Sequence, residues 1–325
     1  MIRDIPQSQT PQSQTARSGT GETVAIAASS QSRITESAPD VPTPALSIII
    51  PMYNEQDRIE PTLRDVVTTL RNWSRGGPRE SFRPWMFHPP HSDESAAPPL
   101  LAEILLVNDG SHDATQGVAE TLLRQLLSPT TIQGKVLRHT TNSGKGAAVQ
   151  TGLTQARGAW ILVMDADNAT RLDQLERFER ALGGLLIDKV PGVPSAIAMI
   201  AGSRNSADAE IEAKFTRRLA GNVFKSALWL LGLRLAKDTQ CGFKLYRRDL
   251  ARYLTQYSQE PGFAFDIEHF LLCMHGGWKF REVGVHWEHK AGGKINVVKD
   301  GLRMVVQAKA IRDRLRRHPP LPSRS

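Results

Sequence analysis

The sequence predicts an α/β fold, an open, mostly parallel, Rossmann-like sheet flanked by helices, and three observations carry that reading. Short apolar runs at 46–50, 103–107, 135–138 and 160–164 are each followed by a polar loop and a stretch with helical spacing. The longer runs are nearly continuous in Ile, Leu and Val, as expected of strands buried on both faces. Polar residues gather just beyond them, at the sheet edge where open α/β folds bind ligands.

Residues 1–44 are rich in Gln, Ser, Thr and Pro and hold almost no large apolar side chain, so they are expected to form a disordered tail. Leu46-Ser47-Ile48-Ile49-Ile50 reads as the first strand, halted by Pro51. Met52-Tyr53-Asn54-Glu55 is then the loop before a helix over about 57–72. Residues 73–99 form a long Pro-, Ser- and His-rich loop insertion, in which His88 and His91 lack the companion ligands of a metal site. The second strand, 103–107, leads through Asn108-Asp109-Gly110-Ser111-His112-Asp113 to a helix ending near 127. Gly110 permits the turn and Ser111 or Asp113 can cap the helix. Asp109, at a strand's carboxyl end, is placed to accept hydrogen bonds from a ligand, with a simple cap box as the alternative. A third strand, 135–138, precedes Asn142-Ser143-Gly144-Lys145-Gly146 and a helix through Ala156. That loop lacks the upstream glycine of a Walker motif, and Val149 occupies the third-glycine position of a dinucleotide fingerprint. What remains is a glycine-rich loop with a lysine, suited to closing around a nucleotide.

The strand Trp160–Met164 ends in Asp165-Ala166-Asp167. Residues two apart in extended chain share a side, so the two carboxylates project together and repel unless a hard divalent cation and an anionic ligand lie between them. The same acids would also serve a plain turn by capping the next helix, 172–182. A further buried strand, 196–201, ends in Gly202-Ser203-Arg204 and brings a cation to the same edge.

A chain of 325 residues suffices for one α/β domain at 45–295, followed by a basic amphipathic segment at 296–325. With two cysteines, Cys241 and Cys273, and no signal-peptide pattern, a cytoplasmic setting is expected, Cys241 acting as a small buried hydrophobe. No apolar run approaches the roughly 20 residues that cross a bilayer. The formal charge is +8, and residues 290–325 hold ten basic and two acidic residues, which accounts for the whole excess. A local basic segment points to a phosphate-rich partner. With 6% aromatic residues and no nucleic-acid motif, a lipid headgroup surface is favoured over nucleic acid.

In order and spacing, Ile50-Pro51-Met52-Tyr53-Asn54-Glu55, Val107-Asn108-Asp109-Gly110-Ser111, the loop from Asn142 to Gly146 and Asp165-Ala166-Asp167 resemble the motifs of the family 2 inverting glycosyltransferases, whose nucleotide-sugar domain is called GT-A. The resemblance implies a uridine pocket lined by Pro51, Tyr53, Glu55 and Asp109, with Lys145 on the nucleotide-sugar and Asp165 and Asp167 on metal and diphosphate. Asp238-Thr239-Gln240-Cys241-Gly242-Phe243-Lys244-Leu245-Tyr246 and Phe263-Ala264-Phe265-Asp266-Ile267-Glu268 are similar to segments of the dolichyl-phosphate β-glucosyltransferases, and the similarity covers about residues 46 to 310. It implies transfer of a hexose, glucose first, from a UDP-sugar to a polyprenyl phosphate with inversion, using Mg²⁺ or Mn²⁺. The polar tail stands where the eukaryotic enzymes carry a membrane helix, so undecaprenyl phosphate is admitted beside dolichyl phosphate. The related dolichyl-phosphate mannosyltransferases, which use GDP-mannose, share the Gly202-to-Arg204 pattern and a downstream arginine, here Arg217 or Arg218. A soluble acceptor is a further alternative.

The mechanism implied is one in-line displacement at the anomeric carbon, the cation neutralising charge on the departing UDP. A phosphate monoester, with its second pKa near about 6, is already largely dianionic and needs no strong base. Asp167, Arg204 and Arg218 are therefore the expected catalytic residues, with Arg204, Arg218, Asp238, Lys244 and Lys294 on the acceptor side; Asp266 and Glu268 are expected in structural or orienting roles, with the base role of hydroxyl-acceptor relatives as the alternative. The apolar and basic residues of 214–235 and 301–318 are expected to meet an anionic membrane surface, making the enzyme peripheral at the cytoplasmic face.

Overall fold

The structure, a computed structural model, describes residues 44–74, 102–127, 132–182, 197–212, 228–229, 231–233, 235–290 and 297–321. Nearly all of the expected tail and of the 73–99 insertion lie outside these residues, as do Arg217, Arg218 and Lys294.

The strands are β1 (Leu46–Met52), β2 (Ala102–Asn108), β3 (Ile132–Arg138), β4 (Trp160–Val163), β5 (Ile197–Ser203), β6 (Glu210–Glu212), β7 (Lys244–Arg247), β8 (Lys279–Gly284) and β9 (His286–Glu288). The helices are α1 (Ile59–Ser74), α2 (Thr115–Leu126), α3 (Lys145–Gln155), α4 (Leu175–Leu182), α5 (Arg248–Tyr257), α6 (Phe265–His275) and α7 (Val297–Arg317). Seven strands form one sheet in the order β3-β2-β1-β4-β7-β5-β8, and β6 and β9 pair in parallel beside it. Every pairing in the large sheet is parallel except the two made by β7, which runs antiparallel to β4 and β5.

Alternation along each strand feeds two cores, one per face. Ile48, Ile50, Ile104, Leu106 and Leu162 pack with Leu63 and Val66 of α1, Leu122 of α2 and Phe178 of α4. Ile49, Leu105, Val107, Ile161 and Val163 pack with Val149 of α3, Leu254 of α5, Phe270 of α6 and Ile311 of α7. Each such aliphatic side chain stabilises the fold by about 1.5–3 kcal/mol relative to exposure, so helices on both faces are held firmly and the sheet edge is fixed.

Two expectations are corrected, and one strand is added to those the sequence suggested. Pro51 does not halt the first strand: β1 runs on to Met52, paired with β2, because its pairing with β4 ends at Ile49 and the missing N–H of Pro51 falls beyond it. The segment at Lys244–Arg247 is a strand, which its four residues did not reveal. The basic C-terminal segment is helical over Val297–Arg317, but its apolar residues do not form one outward stripe. Ala308, Ile311 and Leu315 are buried in the second core, while Leu302 and Val306 are 69% and 63% exposed. Of its cations, Arg312 bonds the Leu231 carbonyl, Arg314 bonds Glu268, Lys309 bonds Asp313 and Arg317 bonds the Asp313 carbonyl, so four of the six expected at a membrane, Arg303 and Arg316 being the others, are engaged within the protein. Among the described residues no helix is long and apolar enough to cross a membrane.

Candidate active site

The carboxyl ends of β1, β2, β4 and β5 open on one edge of the sheet. Because β7 runs the other way, the segment leading into it, 238–243, arrives at that same edge. Val163 lies opposite Lys244 in the ladder, so continuing both chains brings Asp165 against Gly242. A Cβ at Gly242 would stand 2.1 Å from Asp165 Oδ2, so only glycine leaves this carboxylate its place.

Lys145, the first residue of α3, reaches across to Asp165, Nζ to Oδ1 2.6 Å. Burial opposes charge on Asp165, but the charge and hydrogen bond of Lys145, aided by Lys244 and Arg204, hold its carboxyl below the usual range. Asp167 goes the other way: burial and the neighbouring Asp165 charge raise it, against a hydrogen bond that its Oδ1 accepts from Ala169 N at 3.0 Å. Asn168, at φ 55°, makes the reversal that this bond requires. The pair is no helix cap, since the 3₁₀ turn Leu172–Gln174 that opens into α4 starts after Arg171 with no side-chain cap. No third His, Cys, Asp or Glu completes a closed metal cluster among the described residues. Two carboxylates with the rest supplied by phosphate oxygens and water is the pattern that Mg²⁺-type ions take, so the donor set fits such a cation. Buried atoms of the flanking residues, Asn168 Oδ1 and Gln240 Nε2, have no partner among the described residues.

Asp109 is 3% exposed, and its carboxylate is spent inside the protein. It accepts from Ser143 N and Gly144 N, each at 2.8 Å, and pairs with His139 Nδ1 at 2.7 Å. The expected contact with a ligand is thus replaced by one that builds the glycine-rich loop. The glycines serve the same end. A Cβ at Gly110 would meet the Thr141 carbonyl carbon at 2.4 Å, and one at Gly144 would meet Pro261 O at 2.3 Å. They admit neighbouring backbone, so the loop is docked in place. Of the two expected caps, Ser111 acts elsewhere, its Oγ accepting from Asn54 N at 2.9 Å and tying the β1 and β2 loops together, while Asp113 Oδ1 accepts from Thr115 N, the first N–H of α2, at 3.0 Å. Pro51, Tyr53 and Glu55 sit together at the end of β1, Tyr53 edge-on to His112 and Glu55 paired with Arg58 at 2.6 Å.

Arg204, just beyond β5, is gripped by Asp238 through Nε at 2.7 Å and Nη2 at 2.9 Å, and lies over the Trp287 ring at 5.6 Å. Burial works against Asp238, yet Arg204, by charge and by side-chain and backbone hydrogen bonds, brings it down to about 2. Asp238 is therefore the holder of the cation and no direct contact for an anionic ligand. Glu282 in turn accepts from Lys237 N and Asp238 N at 2.8 and 2.9 Å. Trp287, His139 and Glu282 escaped the sequence reading because each lies outside any motif. Lys244 is 1% exposed, donating to Asp266 and to the Cys241 carbonyl, so it supports the 241–243 turn from beneath and cannot reach a ligand. Glu268 is fully buried, accepting from Gln259 N, Glu260 N and Arg314. Neither Asp266 nor Glu268 is free to act as a base.

Residues 47–254 match the family model described as Glycosyl transferase family 2. The chain belongs to this family. The glycosyltransferase is 32% identical over 266 residues to the dolichyl-phosphate beta-glucosyltransferase of Drosophila melanogaster, covering 82% of this chain and 73% of that one. To the human protein of that name it is 28% identical, covering 79% and 71%, and to that of Saccharomyces cerevisiae 27%, covering 82% and 74%. Among solved structures, glucosyl-3-phosphoglycerate synthase from Mycobacterium tuberculosis with phosphoglyceric acid superposes with a TM-score of 0.51 at 17% identity, covering 86% and 81%. The same enzyme with Mn²⁺, uridine-diphosphate and phosphoglyceric acid gives 0.50 at 17%, covering 86% and 80%. At such identity the likeness is one of fold, and the glycosyltransferase has the GT-A sheet that the sequence motifs implied.

Proposed function

We propose that this glycosyltransferase moves glucose from UDP-glucose to dolichyl phosphate, or an equivalent polyprenyl phosphate, with inversion at the anomeric carbon. The relatives named for that reaction support the substrates. The observation that carries the reading is Arg204, a cation held rigidly by Asp238 and Trp287 and close enough for its charge to act on Asp165. A cation facing an acid pair suits a reaction in which a phosphate attacks beside a departing diphosphate.

A divalent cation, Mg²⁺ or Mn²⁺, held by Asp165 and Asp167 would supply charge neutralisation on the diphosphate. A neighbour of this fold crystallised with Mn²⁺ and UDP supports a divalent cation in general. Lys145 orients Asp165 and adds positive charge at the same place. Arg204 aligns the acceptor phosphate, whose dianion is the nucleophile, and Pro51, Tyr53 and Glu55 border the nucleoside. With Asp266 and Glu268 both buried in ion pairs, no side-chain base is assigned, as a dianionic nucleophile permits.

The outer side of α7, with Leu302, Val306 and Arg303 exposed and Arg316 and Arg317 at its end, is assigned to an anionic membrane surface. At about 1 kcal/mol per basic residue the three arginines contribute roughly 3 kcal/mol, a reversible contact. The test is an acceptor assay with UDP-glucose and a short-chain polyprenyl phosphate against free sugars and peptides. Transfer to the lipid phosphate alone is expected; transfer only to a sugar or peptide overturns the assignment.

A further inference from the structure

Helix α7 is joined to the glycine-rich loop by a hydrogen-bonded bridge, and we propose that Gln307 and Arg314 of this helix are positioning residues for Lys145. The bridge starts on the buried side of α7, where Gln307, Ala308, Ile311 and Arg314 fall on one face at helical spacing. Arg314 donates to Glu268, and through Nη1 to Gln259 Oε1 at 2.7 Å. Glu268 also accepts from Gln259 N and Glu260 N at 3.0 and 2.9 Å, so this one carboxylate fixes the start of the 259–262 turn. Gln307 Nε2 donates to Glu260 Oε1 at 3.0 Å, and the same oxygen accepts from Gly262 N at 2.8 Å, fixing its end.

The turn so held is the seat of the loop that carries Lys145. Pro261 O accepts from Ala147 N at 3.0 Å. A Cβ at Gly146 would stand 2.3 Å from Glu260 O, so the two backbones are packed to the limit and cannot shift independently. Lys145 lies between Gly144 and Gly146, both pressed on this turn, and its Nζ must meet Asp165 Oδ1 at 2.6 Å. A displacement of the turn by a few tenths of an ångström is therefore passed to the ammonium group. The fully buried Glu268 has Arg314 as its ion-pair partner, which makes the helix a part of the seat.

The proposal rests on the reading of Lys145 and Asp165 as part of the donor site, and the experiment separates the two. Hydrogen exchange of the full chain, read on peptides covering 142–150, is measured together with UDP binding in Mg²⁺ and with KM for UDP-glucose and for lipid phosphate. Losing the Gln307 bond in Gln307→Ala should speed exchange at Ala147 and weaken UDP binding by about threefold to fivefold each, with the acceptor KM within about twofold. Arg314→Ala should act more strongly, Arg314→Lys should restore most of the loss, and Lys309→Ala on the outer side should change neither quantity. Exchange at Ala147 unaltered in Gln307→Ala and Arg314→Ala alike overturns the bridge. Faster exchange with unaltered UDP affinity overturns the proposal through the donor-site reading instead, and donor and acceptor KM rising in equal proportion shows a general loss of structure and no positioning.

Discussion

Asp238→Asn tests how Arg204 is held, and its cost can be worked from the structure. The Asp238 carboxylate is 4% exposed and accepts two bonds from the Arg204 guanidinium, one from Arg204 N at 2.9 Å and one from Gln240 N at 3.1 Å. Its pKa of about 2 lies roughly two units below the ordinary value of 3.8. At about 1.4 kcal/mol per unit, the ionised form stabilises the fold by about 2–3 kcal/mol at neutral pH. Asn keeps the shape and loses that contribution. The Arg204 side chain left behind is 31% exposed, so hydration limits any further loss. With a urea slope of about 2–3 kcal/mol per molar, the midpoint should fall by roughly 1 M. The sign with pH follows from the depressed pKa: the contribution is complete above about pH 4 and is lost as pH falls toward about 2. Urea unfolding followed by tryptophan fluorescence should thus show a constant gap between the two proteins near neutrality that closes in acid. In transfer assays the variant should raise the acceptor KM and leave UDP binding nearly intact. An unchanged urea midpoint at neutral pH would refute the reasoning, because it would mean that Asp238 holds nothing.

Asp165→Ala and Asp167→Ala should each lower kcat for UDP-glucose by at least about a hundredfold, and EDTA should abolish transfer reversibly, with Mg²⁺ or Mn²⁺ restoring it; near-normal turnover in the double variant would remove the acids from the reaction. Burial, with the Lys244 charge beside it, pushes His269 down to about 3, far below an unfolded histidine. Stability is therefore complete above about pH 6.5 and declines as pH falls toward about 3, by up to about 1.4 kcal/mol per pH unit, and denaturation curves of His269→Gln should show a shallower decline. Burial raises the Cys241 thiol to about 11, with Asp238 adding to it, and the Cys273 thiol to about 12, so both should resist iodoacetamide in the native protein and react only on unfolding. Rapid native labelling of either would show that it is exposed.

Local pattern was enough for much of this protein. The apolar runs at 46–50, 103–107 and 160–164 became β1, β2 and β4 because a buried parallel strand needs only continuous apolar residues, which neighbours in sequence display. The juxtaposition of Asp165 and Asp167 was legible for the same reason, since side-chain alternation is a local property. The roles of Asp109, Asp238, Lys244 and Glu268 were not. Each is decided by a partner 8 to 46 residues away: Gly144 for Asp109, Arg204 for Asp238, Asp266 for Lys244, and Glu260 and Arg314 for Glu268. An acid or a lysine at a sheet edge looks alike in sequence whether it faces a ligand or a buried counter-charge. Only tertiary packing tells these apart, because burial makes an unpaired charge too costly and so selects the internal partner. The C-terminal helix shows the same division: its amphipathic pattern was plain, but the burial of Ile311 and Leu315 with Leu302 and Val306 left outside was settled by the helix it packs on.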